Sequence, residues 1–299
     1  MGQPWVTATI ARMPHLATRP IPWRIGFFLL GALALWLPVA IVAVVPLGVA
    51  FGWDAVATNV TAIASLYTAI LTAIWIWGRG VRRLAMPLRS YGWQWGPALV
   101  VEIALGVAIA IASMGALFGL EALLGWLTFD IKPGPWAFYW FNGLVVGAGV
   151  AFLEEIFFRG WCLAEFQMSF SRRRAAHYSS AFFALLHFIK PPEFILATWP
   201  QFPGLWLLGL VLIQGRTSGF RPRRGSLGVP VGLHGAWVCA ITVANSADLI
   251  QYTGAVPAWV YGLQGNPLMG VAGLAFLGGV LGGLRWWGRH RPMPPQRGY

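Results

Sequence analysis

Long apolar runs separated by short, turn-rich and charged interruptions divide the chain into eight segments: 25–51, 55–77, 97–124, 136–158, 176–189, 203–216, 226–247 and 267–287. Six are long enough to cross the hydrocarbon layer as single helices. The fifth and sixth are shorter, and Pro191, Pro192, Pro200 and Pro203 lie around their junction, so a broken or re-entrant element is expected there. The pattern therefore predicts an all-α, polytopic transmembrane bundle of about eight helices, without internal repeats or a linker long enough to separate domains.

Composition supports the bilayer as the solvent. Of 299 residues, 58% are hydrophobic and 10% charged, with mean hydropathy +0.65. The 37 glycines and 18 tryptophans suit close helix packing and anchoring at the headgroup layer. A net charge of +12 would suggest nucleic acid in a soluble protein, but these arginines sit in short loops between apolar runs, which argues against such a partner. With eight crossings, every arginine from Arg12 to Arg297 falls on one side. The other side receives Lys132, Lys190, Asp54, Asp130, Glu193 and Asp248. The positive-inside rule then predicts an integral protein of a bacterial inner membrane with both termini cytoplasmic, and seven crossings would scramble the partition. Arg12, Arg19 and Arg24 ahead of the first run read as the flank of a retained helix. Cys162 and Cys239 form neither a disulfide framework nor a CxxC pair and are expected to be inert fillers. Gly143 and Gly147 match a small-xxx-small pattern, which a glycine-rich chain produces by chance, so it carries no weight here.

Ionisable groups in hydrocarbon cost about 2.5 to 3.5 kcal/mol each on insertion, so each invites an explanation. Glu102 and Glu121 lie near the two ends of the third run, where they can reach the interface and a structural or snorkelling role is expected. Glu154, Glu155, Arg159, His187 and His234 fall on three separate segments and combine acid, base and donor types. Glu155 and Arg159 stand at i and i+4, the spacing of an ion pair on one helical face. Glu154 points about 100° away and is left as a desolvated carboxylate able to take a proton from water. His187 would hold or share that water, and His234 would donate to a developing oxyanion. If the fourth helix stopped at Gly160, Glu154 would sit in solvent. The scheme therefore requires the helix to continue through Phe166, which buries Glu154 by a further ~10 Å.

These residues carry a resemblance. Glu154-Glu155 with Arg159 matches an EExxxR motif, Phe183 with His187 matches FxxxH, and His234 falls where a third motif, histidine followed four residues later by a polar residue, belongs. The chain thus resembles the CAAX-protease and bacteriocin-processing family of intramembrane proteases, which includes Rce1-type endopeptidases. The likeness covers about residues 136–247, a four-helix core, and leaves 1–135 as three N-terminal transmembrane helices and 248–299 as a last helix with a basic tail. It implies an intramembrane endopeptidase acting on a peptide or membrane-protein substrate within lipid, with Glu154, Glu155, His187 and His234 as catalytic residues, Glu154 and His187 activating water and His234 binding the oxyanion, and with Arg159 and Phe183 supporting them. A glutamate-activated water without cofactor is the favoured chemistry. A divalent ion such as zinc on Glu154, His187 and His234 stays open, although the chain has no HExxH pair. Val238 departs from the polar position of the third motif, so half of the expected oxyanion site is missing. Two other classes compete: a non-enzymatic scaffold or immunity-type protein that keeps the fold, and a transporter using Glu and His as a relay, which lacks the inverted repeats of many carriers.

Overall fold

The computed structural model describes residues 14–218 and 225–290. Arg12, Arg221, Arg223, Arg224, Arg291, Arg297 and the Pro-rich tail lie outside them, so the arginine partition is read here on the remaining arginines. The chain divides into two compact units, Met1–Tyr91 and Gly92–Tyr299.

The first unit is a pair of apolar helices, α1 (Ile21–Phe51) and α2 (Val56–Gly80). Pro38 removes an intrahelical donor, and the ladder relaxes into a π-helical turn at Ala40–Val44 just after it. Trp36 donates to Ser65 Oγ at 3.0 Å across the pair.

The second unit holds α3 (Pro97–Leu123), strand β1 (Leu127–Phe129), α4 (Trp136–Gln167), α5 (Arg172–Leu186), α6 (Pro192–Thr217), α7 (Gly228–Ser246), strand β2 (Ile250–Tyr252) and α8 (Val271–His290). The fold is a polytopic helical bundle. Among the described residues six helices, α1 to α4, α6 and α7, are long and apolar enough to span a membrane. This differs from the expected set. The fifth run folds as the 15-residue α5, shortened at one end by Arg172–Arg174 and made polar by His177, Ser179 and Ser180. The sixth becomes spanning because Pro192–Thr198 joins it through a 3-10 turn at Trp199–Gln201, where the prolines predicted a break. The eighth run is a helix of 20 residues ending in Arg285, Arg289 and His290.

Helix α7 is the hub, packed between α3 and α4. Glycines make this close approach possible, since a Cβ at Gly106 or Gly232 would overlap the facing helix backbone. The Gly143/Gly147 pair, dismissed above as chance, sits at the crossing of α4 with α7: a Cβ at Gly147 would meet the Gly235 carbonyl, and one at Gly143 the Cys239 carbonyl at 3.0 Å. Gly147→Val is therefore expected to cost about 1 to 3 kcal/mol. Gly149→Val, which faces open space, should stay within about 0.5 kcal/mol. SDS-titration of folded protein would separate the two.

The two short strands pair antiparallel, Leu127 with Tyr252 and Phe129 with Ile250. Beside them Lys132 Nζ meets Asp248 Oδ2 at 2.7 Å and Asp130 Oδ2 at 3.2 Å, so three charges assigned to the arginine-free side cluster. The hydrogen bond from Lys132 holds the Asp248 carboxyl below its ordinary range. Glu102 and Glu121 are both buried within the protein, 2% and 1% exposed, which favours the structural role over snorkelling. Glu102 Oε2 lies 3.0 Å from where a Cβ would stand on Gly228, at the positive end of α7.

Candidate active site

Helix α4 does not stop at Gly160. It runs on to Gln167, as burial of Glu154 requires, but through a π-helical stretch at Glu155–Cys162. All eight residues of that stretch are buried, whereas the regular α4 before it buries only Gly143, Gly147 and Ala151. A π-helical stretch widens the turn and re-aims successive side chains, and such segments recur where a helix carries chemistry.

Inside it Arg159 Nη1 donates to Glu155 Oε1 at 3.0 Å, the i, i+4 ion pair that the spacing predicted, with both side chains sealed from solvent. The same Glu155 oxygen accepts from His234 Nδ1 at 2.8 Å. A carboxylate can only accept, so the Nδ1 proton is fixed and Nε2 is the free end of the ring. Nε2 stands 4.0 Å from Glu154 Oε2. Glu155 thus anchors His234 as well as pairing with Arg159, a bond that separate motifs could not reveal. Glu154 stays apart from that pair, with 21% of its side chain exposed where Glu155 has none.

Phe183 of α5 is the wedge between these groups. The Arg159 guanidinium lies 4.2 Å above its ring, the His187 ring meets its edge at 4.6 Å, and the His234 ring stands at 6.5 Å. His187 caps the C-terminal end of α5, and its Nδ1–H donates to the Phe183 carbonyl at 2.8 Å. Its Nε2 is therefore the nitrogen left for chemistry. The structure brings Glu154, Glu155, Arg159, Phe183 and His234 into one cluster, and Phe183 joins His187 to it.

Glu154, His187 and His234 line a cavity of about 440 Å³, within the range of small-ligand sites. One face of α7 forms its floor: His234, Trp237, Val238, Ile241, Thr242 and Asn245 all line it, a stripe at helical spacing. Val238 does border the cavity, so the apolar substitution in the third motif lies inside the site. Sequence reasoning missed Gln201, Gln264 and Asn266, which line it from distant segments and carry no signal of their own. It also missed Ser113, the acceptor for the Trp237 indole N–H at 3.1 Å.

A metal would need three close donors. Among the described residues no group of three His, Cys, Asp or Glu side chains stands together closely enough to hold an ion. The residues present do not fit such a group. Cys162 and Cys239 are both buried and free, as fillers would be.

No curated protein and no solved structure matches this chain. Residues 135–240 match the family model described as Type II CAAX prenyl endopeptidase Rce1-like, and this stretch spans α4 to most of α7, with the three motifs inside it. That match makes residues 135–240 similar to the Rce1-like type II CAAX prenyl endopeptidases.

Proposed function

We propose that the protein hydrolyses a peptide bond of a hydrophobic or membrane-inserted polypeptide, with residues 136–247 as the catalytic core and water as the nucleophile. The observation that carries this reading is Glu154: a carboxylate outside the Glu155–Arg159 pair, lining a cavity together with His187 and 4.0 Å from a His234 ring whose other nitrogen is held. Water between Glu154 and His187 Nε2 loses a proton to the glutamate as its oxygen attacks the carbonyl carbon. The carbonyl oxygen takes up charge and accepts from His234 Nε2–H. The tetrahedral carbon then expels the amine, which receives the proton stored on Glu154.

Charge balance supports His234 as the donor. Glu154 and Glu155 ionised bring two negative charges and Arg159 one positive, so a proton on His234 makes the cluster neutral, the state a poorly solvated site favours. The test is comparative proteomics of cells carrying wild-type or Glu154→Gln protein. Fragments present only with the former support the reading, and identical fragment sets in the two would end it.

Val238 puts an apolar side chain where the third motif calls for a polar one, so the oxyanion is assigned to His234 without a second donor from that motif. Restoring a polar group with Val238→Asn is expected to raise kcat about 10-fold, less than the 10²-fold or more lost when an evolved donor is removed. A rate unchanged or lowered in a folded variant would remove position 238 from the oxyanion site.

A further inference from the structure

A water that attacks a carbonyl carbon is held from several sides at once. One lone pair goes to the carbon, and the two O–H bonds point at acceptors: Glu154, and the Nε2 of His187, whose Nδ1–H is given to the Phe183 carbonyl at 2.8 Å. The second lone pair needs a donor. Glu154 and His187 cannot supply it, because an ionised carboxylate only accepts and the free nitrogen of His187 is itself an acceptor.

Most donors of the cavity are already committed. The Trp237 indole N–H goes to Ser113 at 3.1 Å, the Ser113 hydroxyl to the Ala110 carbonyl at 3.0 Å, and the free N–H of His234 is assigned to the oxyanion. What is left among the lining side chains is the hydroxyl of Thr242 and the amides of Gln201, Asn245, Gln264 and Asn266.

Helix register separates them. A Cβ at Gly209 would overlap Ser180, and the rings of Phe188 and Phe202 stand 6.3 Å apart. Moving from Ser180 to Phe188 beside α5 therefore moves back from Gly209 to Phe202 on α6, so the two helices are antiparallel neighbours. His187, the C-terminal cap of α5, is thus level with the step from Gln201 to Phe202. Gln201 is the one of the five carried by the helix that runs beside α5; Thr242 and Asn245 stand on α7, and Gln264 and Asn266 on the loop before α8. The local fold also aims it. Pro200 sits in the 3-10 turn Trp199–Gln201 that interrupts α6, and Gln201, Leu205 and Leu208 then line the cavity at i, i+4 and i+7, one face of the helix. Gln201 is half-buried, and among the described residues nothing accepts from its side-chain NH₂.

We infer that Gln201 is a further catalytic residue, whose side-chain NH₂ donates to the attacking water and, with Glu154 and His187, aims its remaining lone pair at the carbonyl carbon. No bond to Gln201 is made or broken. The water proton still passes to Glu154, and the amide keeps both of its hydrogens. The inference rests on the proteolytic reading and adds to it a residue that lies inside the matched stretch but outside all three motifs.

The probe is a peptide spanning a cleavage site found through Glu154-dependent fragments, assayed at steady state with purified full-length variants whose folding is checked by SDS-titration. Gln201→Leu keeps the bulk and loses the donor. It is expected to lower kcat about 10-fold, the effect of one hydrogen bond, with KM changed less than about threefold. Gln201→Glu keeps shape and polarity but turns the donor into an acceptor, so it should lose at least as much; it decides alone if Gln201→Leu fails to fold. A raised KM with kcat unchanged makes Gln201 a substrate contact and overturns the inference, as does Gln201→Glu working at the wild-type rate. A tenfold loss in Thr242→Val with none in Gln201→Leu moves the donor to α7 and overturns it too. The two levels fail separately. Cleavage that ignores Glu154→Gln defeats the proteolytic reading, whereas cleavage that needs Glu154 but runs at full rate in both Gln201 variants defeats this inference alone.

Discussion

Arg159→Met is expected to destabilise the fold by about 3 to 5 kcal/mol, the usual loss when one member of a buried ion pair is removed. The guanidinium is 1% exposed, pairs with a carboxylate that has no exposure, and stacks 4.2 Å above Phe183. Methionine keeps much of the stem's packing but leaves Glu155 with His234 as its cationic partner. Adding Glu155→Gln removes the orphaned charge and should recover at least about 1 kcal/mol, the coupling expected of groups in one network. SDS-titration of the single and double variants measures both numbers. A single variant within about 0.5 kcal/mol of wild type would mean that Glu155 is neutral in the folded protein, and the charge balance argued for His234 would go with it.

Much of this was legible in the sequence because hydrophobic runs and buried charges are expensive features that few folds permit. The extension of α4 past Gly160 follows from such a cost: Glu154, Glu155 and Arg159 could share a dry site only if the helix carried on. The ion pair and the meeting of three motif-bearing segments follow in the same way. Other features hide for physical reasons. The π-helical stretch leaves no mark in a run that reads as α-helix, and the short β1–β2 pair depends on a partner more than a hundred residues away. The Glu155–His234 bond joins two motifs whose relative depth no spacing encodes. Gly143 and Gly147 could not be told from the chain's many other glycines until α7 was seen against them. For Glu102 and Glu121 the sequence left a structural and a snorkelling role side by side, because a carboxylate near a helix end has a route to the interface and only the packing around it decides whether that route is open. The cavity amides are the extreme case, since Gln201, Asn245, Gln264 and Asn266 are ordinary polar residues until the fold sets them around one cavity.

Glu154→Gln, by contrast with the change at Arg159, is expected to leave stability within about 0.5 kcal/mol of wild type while lowering kcat by 10²- to 10⁴-fold, the range that a positioned general base supplies. The amide is nearly isosteric and keeps the contacts along the cavity wall, but it cannot accept the proton that water must lose. KM should change by less than about threefold, because the glutamate acts on the water rather than on the bound chain. Its neighbour makes the contrast decisive. Glu155→Gln, one residue along the same helix, strikes the oxygen shared by Arg159 and His234 and so should lose stability first and activity with it. Two adjacent carboxylates would then give opposite signatures, one kinetic and one structural, when steady-state cleavage and SDS-titration are run on the same preparations. If Glu154→Gln cleaves at the wild-type rate, the water is activated elsewhere. If it instead unfolds as Glu155→Gln is expected to, the two glutamates form a single structural unit and neither is the base.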